Sequence, residues 1–209
     1  VGVSGGVPLG SIKWNYDLSI TNGFSLLSDG QLTNVNLSAN SRNKTYTGRL
    51  GLLPLSNNSL EIGVSGMTGG LANGDVQFQN PRLSMYAFDL NYVKNIQGLQ
   101  VNVKGQYNFV NISSQSYTSP TYTTQKYSFT NSTISGYQQL SLRLIGAKHQ
   151  VIKNLEVACR YGTYNTPFNS LWGNNLTQLD YGVNYWINWR TVVRVSYEVI
   201  DSKSPLTHF

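Results

Sequence analysis

The stretch 11–23, SIKWNYDLSITNG, constrains the fold more than any other, because its residues alternate in character. Ile12, Trp14, Tyr16, Leu18 and Ile20 are apolar, whereas Lys13, Asn15, Asp17, Ser19 and Thr21 are polar or charged. Successive side chains of a β-strand point to opposite faces, so this is a two-faced strand. The Asn22-Gly23 pair that follows reads as a turn. The pattern recurs. Leu99, Val101, Val103, Tyr107 and Phe109 oppose Gln100, Asn102, Lys104, Gln106 and Asn108. Leu179, Tyr181, Val183, Tyr185 and Ile187 oppose Gln178, Asp180, Asn184 and Trp186. Val193, Val195, Tyr197 and Val199 oppose Arg194, Ser196 and Glu198. Weaker copies at 1–8, 43–55, 59–69, 83–93, 135–147 and 153–164 bring the total to about ten strands. Many approach the ~9–11 residues that cross a bilayer at a tilt. No amphipathic helix has comparable support.

A sheet of such strands has one apolar and one polar face. In a soluble sandwich the apolar face meets a second sheet; in a membrane barrel it meets lipid. Charged residues make up 11% of the chain, well below the roughly 25% of soluble proteins. No apolar run approaches the ~18 residues of a membrane helix, so any crossing falls to strands. The connections also alternate in length. Those near 8–10, 55–59, 94–98, 147–153 and 188–190 are short; those near 22–42, 70–82, 112–134 and 165–175 are long. Outer-membrane barrels segregate loops in this way, with the short turns in the periplasm. The pattern predicts an all-β fold, an antiparallel transmembrane β-barrel in the bacterial outer membrane.

The charges follow the same alternation. Asp17, Glu61, Asp89, Glu156, Asp180 and Glu198 fall on the polar faces of their strands, as do Lys13, Arg49, Lys104, Arg143, Arg160 and Arg194. A lipid-facing charge at mid-bilayer costs roughly 2–4 kcal/mol, less for acids, and lipid would enforce this arrangement. The expected pore lining is Lys13, Asp17, Arg49, Glu61, Asp89, Lys104, Arg143, Arg160, Asp180, Arg194 and Glu198. The net charge of +6 arises elsewhere, from residues such as Arg42, Lys44, Arg82, Lys94, Lys126, Arg190 and Lys203, offset by Asp29, Asp75 and Asp201. These are assigned to turns and loops, a solvated or headgroup-facing rim and not a nucleic-acid surface.

Three segments, YTGRLGLLPLSNNSLEIGVSGMTG (46–69), YAFDLNYVKNIQGLQVNVKGQYN (86–108) and LTQLDYGVNYWINWRTVVRVSYEVID (176–201), resemble the phosphate-selective porin O/P family, most strongly its relatives in the Bacteroidetes. Gly-Arg…Leu-Glu-Ile-Gly and Gly-Val-Asn-Tyr-Trp-Ile-Asn carry the resemblance. It implies a large outer-membrane barrel, commonly a homotrimer, set among outer-membrane lipid and lipopolysaccharide, that passes small hydrophilic solutes. The family's phosphate pores are lined by an arginine and lysine ladder; the balanced charges here do not reproduce it, so phosphate selectivity is not carried over.

Other chemistry finds little support. The histidines are His149, in a short turn, and His208, near the end; neither has a serine and acid partner at a recognisable spacing, and no enzyme, cofactor or metal is expected. The single cysteine, Cys159, falls on the apolar face. Tyr117, Tyr122 and Tyr127 sit in a loop that reads as polar and exposed. Phe24, Leu26, Leu27, Leu32, Val35 and Leu37 make the 22–42 loop too apolar for free solvation, so it should fold against the wall, inward as a constriction. Residues 1–209 are expected to be one barrel domain, the C-terminal portion of about 16–18 strands with a strand missing at each end; Pro205 argues against a strand there, and Phe209 is not expected to be a barrel's final aromatic. The alternatives are a structural or docking barrel with a plugged lumen, in a larger envelope assembly, and a secreted carbohydrate-binding sandwich.

Overall fold

A computed structural model describes residues 1–33, 43–73, 78, 80–113, 115–118 and 126–204. Arg42, Asp75, Val35, Leu37, Tyr122, Pro205, His208 and Phe209 lie outside the described residues. In chain order come β1 (Gly2–Leu9), β2 (Ile12–Asn22), β3 (Ser25–Leu26), β4 (Leu32–Thr33), β5 (Lys44–Leu53), β6 (Leu60–Gly70) and β7 (Ala72–Asn73). Next are β8 (Arg82–Ile96), β9 (Leu99–Ile112), β10 (Tyr117–Thr118), β11 (Lys126–Tyr127) and β12 (Ser132–Arg143). A one-turn helix, α1 (Gln150–Asn154), precedes β13 (Leu155–Asn165), β14 (Asn175–Trp186) and β15 (Val192–Lys203).

The long strands form one antiparallel sheet of ten in the order β1-β2-β5-β6-β8-β9-β12-β13-β14-β15. Each pairs with its neighbour in the chain, as hairpins require. β1 and β15 are the two edges and do not pair with each other, so the sheet is not closed on itself. Local chemistry sets the hairpins. Gln97 and Gly98 both have positive φ, 47° and 87°, between the paired Ile96 and Leu99. This is the two-residue turn whose twist suits adjoining strands. At the 188–190 turn the Asn188 carboxamide oxygen accepts from the amides of Arg190 and Thr191 at 2.8 and 2.9 Å.

Three expectations change. The strand expected over 135–147 runs from Ser132 to Arg143, because Gly146 leaves it to pack against Gly98, whose carbonyl accepts from the Gly146 amide at 2.8 Å. Asn22-Gly23 is not a hairpin turn. A side chain at Gly23 would meet the carbonyl oxygens of Gly70 and Asn43 at 2.8 and 3.0 Å, so glycine is needed there for close backbone approach. Lys44, Arg82, Lys94, Lys126, Asp201 and Lys203, read as turn or loop residues, lie in strands, Lys126 in the two-residue β11 and the others near the ends of long strands.

The register carries the alternation across the sheet. Trp14 faces Leu52, Phe88 faces Tyr107, and Tyr181 faces Cys159 and Tyr197, all on one side. That face is uncovered among the described residues: Tyr86 and Phe88 are 55% and 56% exposed and Val195 is 70% exposed.

The opposite face is polar over most of its extent but turns apolar at the long-loop end, with Met67, Leu83, Met85, Val110 and Ile112. Outward positions there become polar instead: Thr68, Ser84 and Asn111. Over this inner apolar patch the loops build the molecule's buried core. Leu26, Leu71, Phe78, Tyr117 and Phe129 are buried against Leu83 and Ile112, with Phe24, Leu32, Tyr127 and Trp172 packed alongside. Tyr117 stacks on Phe129 at 4.5 Å between ring centres, and Phe129 stacks on Tyr127 at 5.5 Å. The Asp29 carbonyl accepts from both the Tyr127 hydroxyl and Trp172 Nε1, each at 3.2 Å. The apolar 22–42 loop therefore does fold inward through Phe24, Leu26 and Leu32, although Leu27 stays exposed. The exposed-loop expectation fails for Tyr117 and Tyr127. Tyr117 is fully buried, and its ring supplies contacts that join the loops into one cluster.

Burial holds both phenols above the usual tyrosine value of 10.0; the Asn131 amide donated to Tyr117 partly opposes this, and the Asp29 carboxylate adds to it at Tyr127. The folded loop cluster thus prefers the neutral phenols. Its stability is intact below about pH 10 and falls as pH rises beyond, where unfolded tyrosines ionise first. Tyrosinate absorbance should show a late-titrating class that Tyr117→Phe diminishes. Simultaneous titration of every tyrosine near pH 10 would refute this.

Candidate pore wall

On the polar face, a broad concavity crosses β8, β9, β12, β13, β14 and β15, bounded by groups such as Lys104, Glu156, Arg160, Asp180 and Arg194. Cross-strand partners share a face in an antiparallel ladder. The register therefore puts the eleven expected lining residues on this one side. Asp17 lies opposite Arg49, Arg160 opposite Asp180, and Asp180 opposite Glu198. Arg194 lies opposite Asn184, Arg143 opposite Glu156, and Lys104 opposite Asn91 and Gln139. Lys13 pairs with Pro8 and Leu53 on the same side.

Arg49 organises one half of this wall. Its Nη2 donates to Asp89 at 2.8 Å and to Glu61 at 3.1 Å, and its Nη1 donates to Asn15 at 3.2 Å. The cluster lies over two glycines that face each other, Gly51 and Gly63. A Cβ at Gly63 would overlap the Asp89 carboxylate, and one at Gly51 would overlap the Asn15 carboxamide. The glycines leave the floor open so that side chains from neighbouring strands can lie flat across it. The spacing in GRLG…LEIG thus acquires a physical reason.

The other half holds its charges on aromatic and amide supports. The Arg160 guanidinium lies 3.9 Å from the Tyr137 ring centre, within the range of cation–π attraction. Asp180 accepts from Gln178 at 2.9 and 3.1 Å. Arg143 Nε donates to the Lys153 carbonyl at 2.8 Å, and its guanidinium sits 5.5 Å from the Trp186 ring centre. Glu156 accepts from Asn184 at 3.1 Å and from Trp186 Nε1 at 2.8 Å. Among the described residues the ion pairs are those of Arg49 with Glu61 and Asp89. Arg143, Arg160, Glu156 and Asp180 are held by amides, a carbonyl and aromatic rings and are not in ion pairs.

No family model, curated protein or solved structure matches the chain.

Cys159 lies on the outward face between Leu140 and Tyr181, and is exposed. His149 is exposed at the start of α1. Glu156 stands among the wall charges although it was left out of the expected lining set. The inner aromatics Tyr137 and Tyr164 were also missed. Strand parity would have found them, since Tyr137 is opposite Gln106 and Tyr164 opposite Ser135. The loop cluster had a signal too: Met67, Leu83, Met85, Val110 and Ile112 occupy inward positions that are polar further along the strands.

Gly63→Ala should displace the Asp89 carboxylate and break its pair with Arg49, destabilising the fold by about 1–3 kcal/mol. In an Asp89→Ala background the same substitution should cost much less, because the clashing group is gone. Equal losses of melting temperature in the two backgrounds would contradict the open-floor account.

Proposed function

We propose that this sheet is the wall of an outer-membrane β-barrel that allows passive diffusion of small hydrophilic solutes or ions. The observation that carries the reading is the outward apolar belt. On β8 the outward residues Tyr86, Phe88, Leu90 and Tyr92 are bounded by Ser84 on one side and Lys94 on the other. From Ser84 to Lys94 is about ten residues, or ~33 Å at ~3.3 Å per residue, which a ~40° tilt reduces to ~25 Å. That is the height of the apolar band on outer-membrane barrels. Tyr86 and Tyr92 mark its borders, as interfacial aromatics do, and Lys94 is placed to reach the headgroups.

The resemblance to the porin O/P family, its trimers and its lipopolysaccharide setting belong to the same proposal. Unpaired strand edges are not tolerated in hydrocarbon, so β1 and β15 must each be covered there; a barrel of about 16–18 strands would do so. The balanced wall charges support weak ion selectivity and give no ladder for phosphate. The alternative, a docking barrel with a blocked lumen, is favoured by the loop plug over the inner apolar patch. The polar wall beyond the plug favours conduction.

Reconstitution in planar bilayers should give discrete conductance steps. Replacing Arg143, Arg160 and Arg194 together with glutamine removes three positive charges from the wall, and the reversal potential in a salt gradient should shift toward cation preference. A folded protein that never conducts would instead support the plugged barrel. Phe88→Lys should impair folding into vesicles by about 2–4 kcal/mol, whereas Ala87→Lys, one residue away on the inner face, should cost far less. Equal behaviour of the two variants, or a soluble chain without detergent, would refute the membrane reading.

A further inference from the structure

Where the plug meets the inner wall, a cavity of about 200 Å³ opens between the 30–32 segment, the long-loop ends of β9, β12 and β13, and Trp172. Among the described residues its lining contains no charged side chain, unlike the concavity further along the inner face. Two aromatic side chains, Tyr164 and Trp172, stand beside aliphatic Leu32, Val110 and Ile112. Gln31, Asn131 and Thr133 supply amides and a hydroxyl.

The polar groups fall into two sets. Some are committed to building the site: Asn131 Nδ2 donates to the Gly30 carbonyl at 2.8 Å and to the Tyr117 hydroxyl at 3.1 Å, Trp172 Nε1 to Asp29, and Gln31 Nε2 to the Asp29 carboxylate at 3.1 Å. These bonds hold the rings and amides in place before any ligand arrives, which reduces the ordering cost of binding. Others remain unengaged. Gln31 Oε1, the Thr133 hydroxyl and the Tyr164 hydroxyl make no side-chain hydrogen bond among the described residues; the amide oxygen can accept one from a guest, and each hydroxyl can accept or donate one.

An anion would find no cation here, and a cation no carboxylate on the lining. A hydrocarbon would leave the free hydroxyls unpaired, at a cost. The complementary guest is small, neutral and two-natured, with C–H faces for the aromatic and aliphatic walls and hydroxyls for the amide and the two free hydroxyls.

We propose that this cavity is a binding site for a single sugar ring, either a free monosaccharide or the end of a short oligosaccharide. The proposal rests on reading the inner face as a pore wall, where the site would hold a neutral solute at the plug. The two claims are tested separately. Detergent-solubilised protein, shown to be folded by its heat-dependent shift on a gel, is titrated with D-glucose and with maltose while tryptophan fluorescence is followed; sodium phosphate is the control. A saturable response to a sugar and none to phosphate is expected. The fluorescence response should vanish in Trp172→Phe, and Thr133→Val should weaken binding by about tenfold while leaving the fold intact. Calorimetry on the same samples reads binding without the tryptophan. No saturable response to either sugar, or equal affinity in Thr133→Val, would overturn the site. Conductance without sugar binding would leave the channel standing and remove the site; sugar binding without conductance would do the reverse.

Discussion

The antiparallel backbone ladder is the constraint on which everything else depends. Side-chain direction has a period of two along a strand, so a slip of one residue exchanges the two faces completely. Here ten strands keep the same phase. A one-residue slip of β5 against β2 would turn Arg49 outward, and a slip of β14 against β13 would do the same to Asp180. Short turns such as Gln97-Gly98 help to pin the register, because the residues on either side are already paired. The apolar belt and the charged wall are thus one feature seen from its two sides.

Within that frame the inner wall solves two different problems. Along most of its height it keeps polar and ionic groups solvated or supported: Arg49 by two acids and Asn15, Arg160 by Tyr137, Glu156 by Trp186. Toward the long loops it presents methionine and branched residues that water would not favour, and the loops cover them. The molecule's buried core therefore forms between its loops and the mouth of its concave face, and the sheet itself contributes only one side of it. This inverts the usual arrangement, in which loops lie over a core made by regular elements.

The ten strands and their two faces were legible in the sequence because both are local: a handful of adjacent residues reveals the alternation. Twelve charges fell on the correct side for the same reason. Strand ends were less legible. Leu144 and Ile145 look like a continuing strand, and only the approach of Gly146 to Gly98 across the neighbouring turns ends it. Asn22-Gly23 looks like a hairpin, while the glycine serves a contact with Gly70 and Asn43. The tyrosine-bearing loop was misread because its composition is polar. Tyr117 is buried by Phe78 and Phe129, and Tyr127 is fixed by a carbonyl 98 residues earlier, contacts that no local window contains. The sugar-sized cavity was illegible for the same reason, as its lining comes from five separated stretches of chain.

The Asp29 carbonyl, which accepts from both Tyr127 and Trp172, carries a consequence for the order of assembly. Its two partners lie 98 and 143 residues further along the chain. Neighbouring hairpins zip through short loops and form early, but bonds across such distances bear a far larger entropic cost of closure. Pairing of the intervening strands shortens the effective loop between Asp29 and Trp172 and so lowers that cost. Contacts of such long sequence separation are expected to close later than the neighbouring hairpins, and until they close the inner apolar patch has no cover.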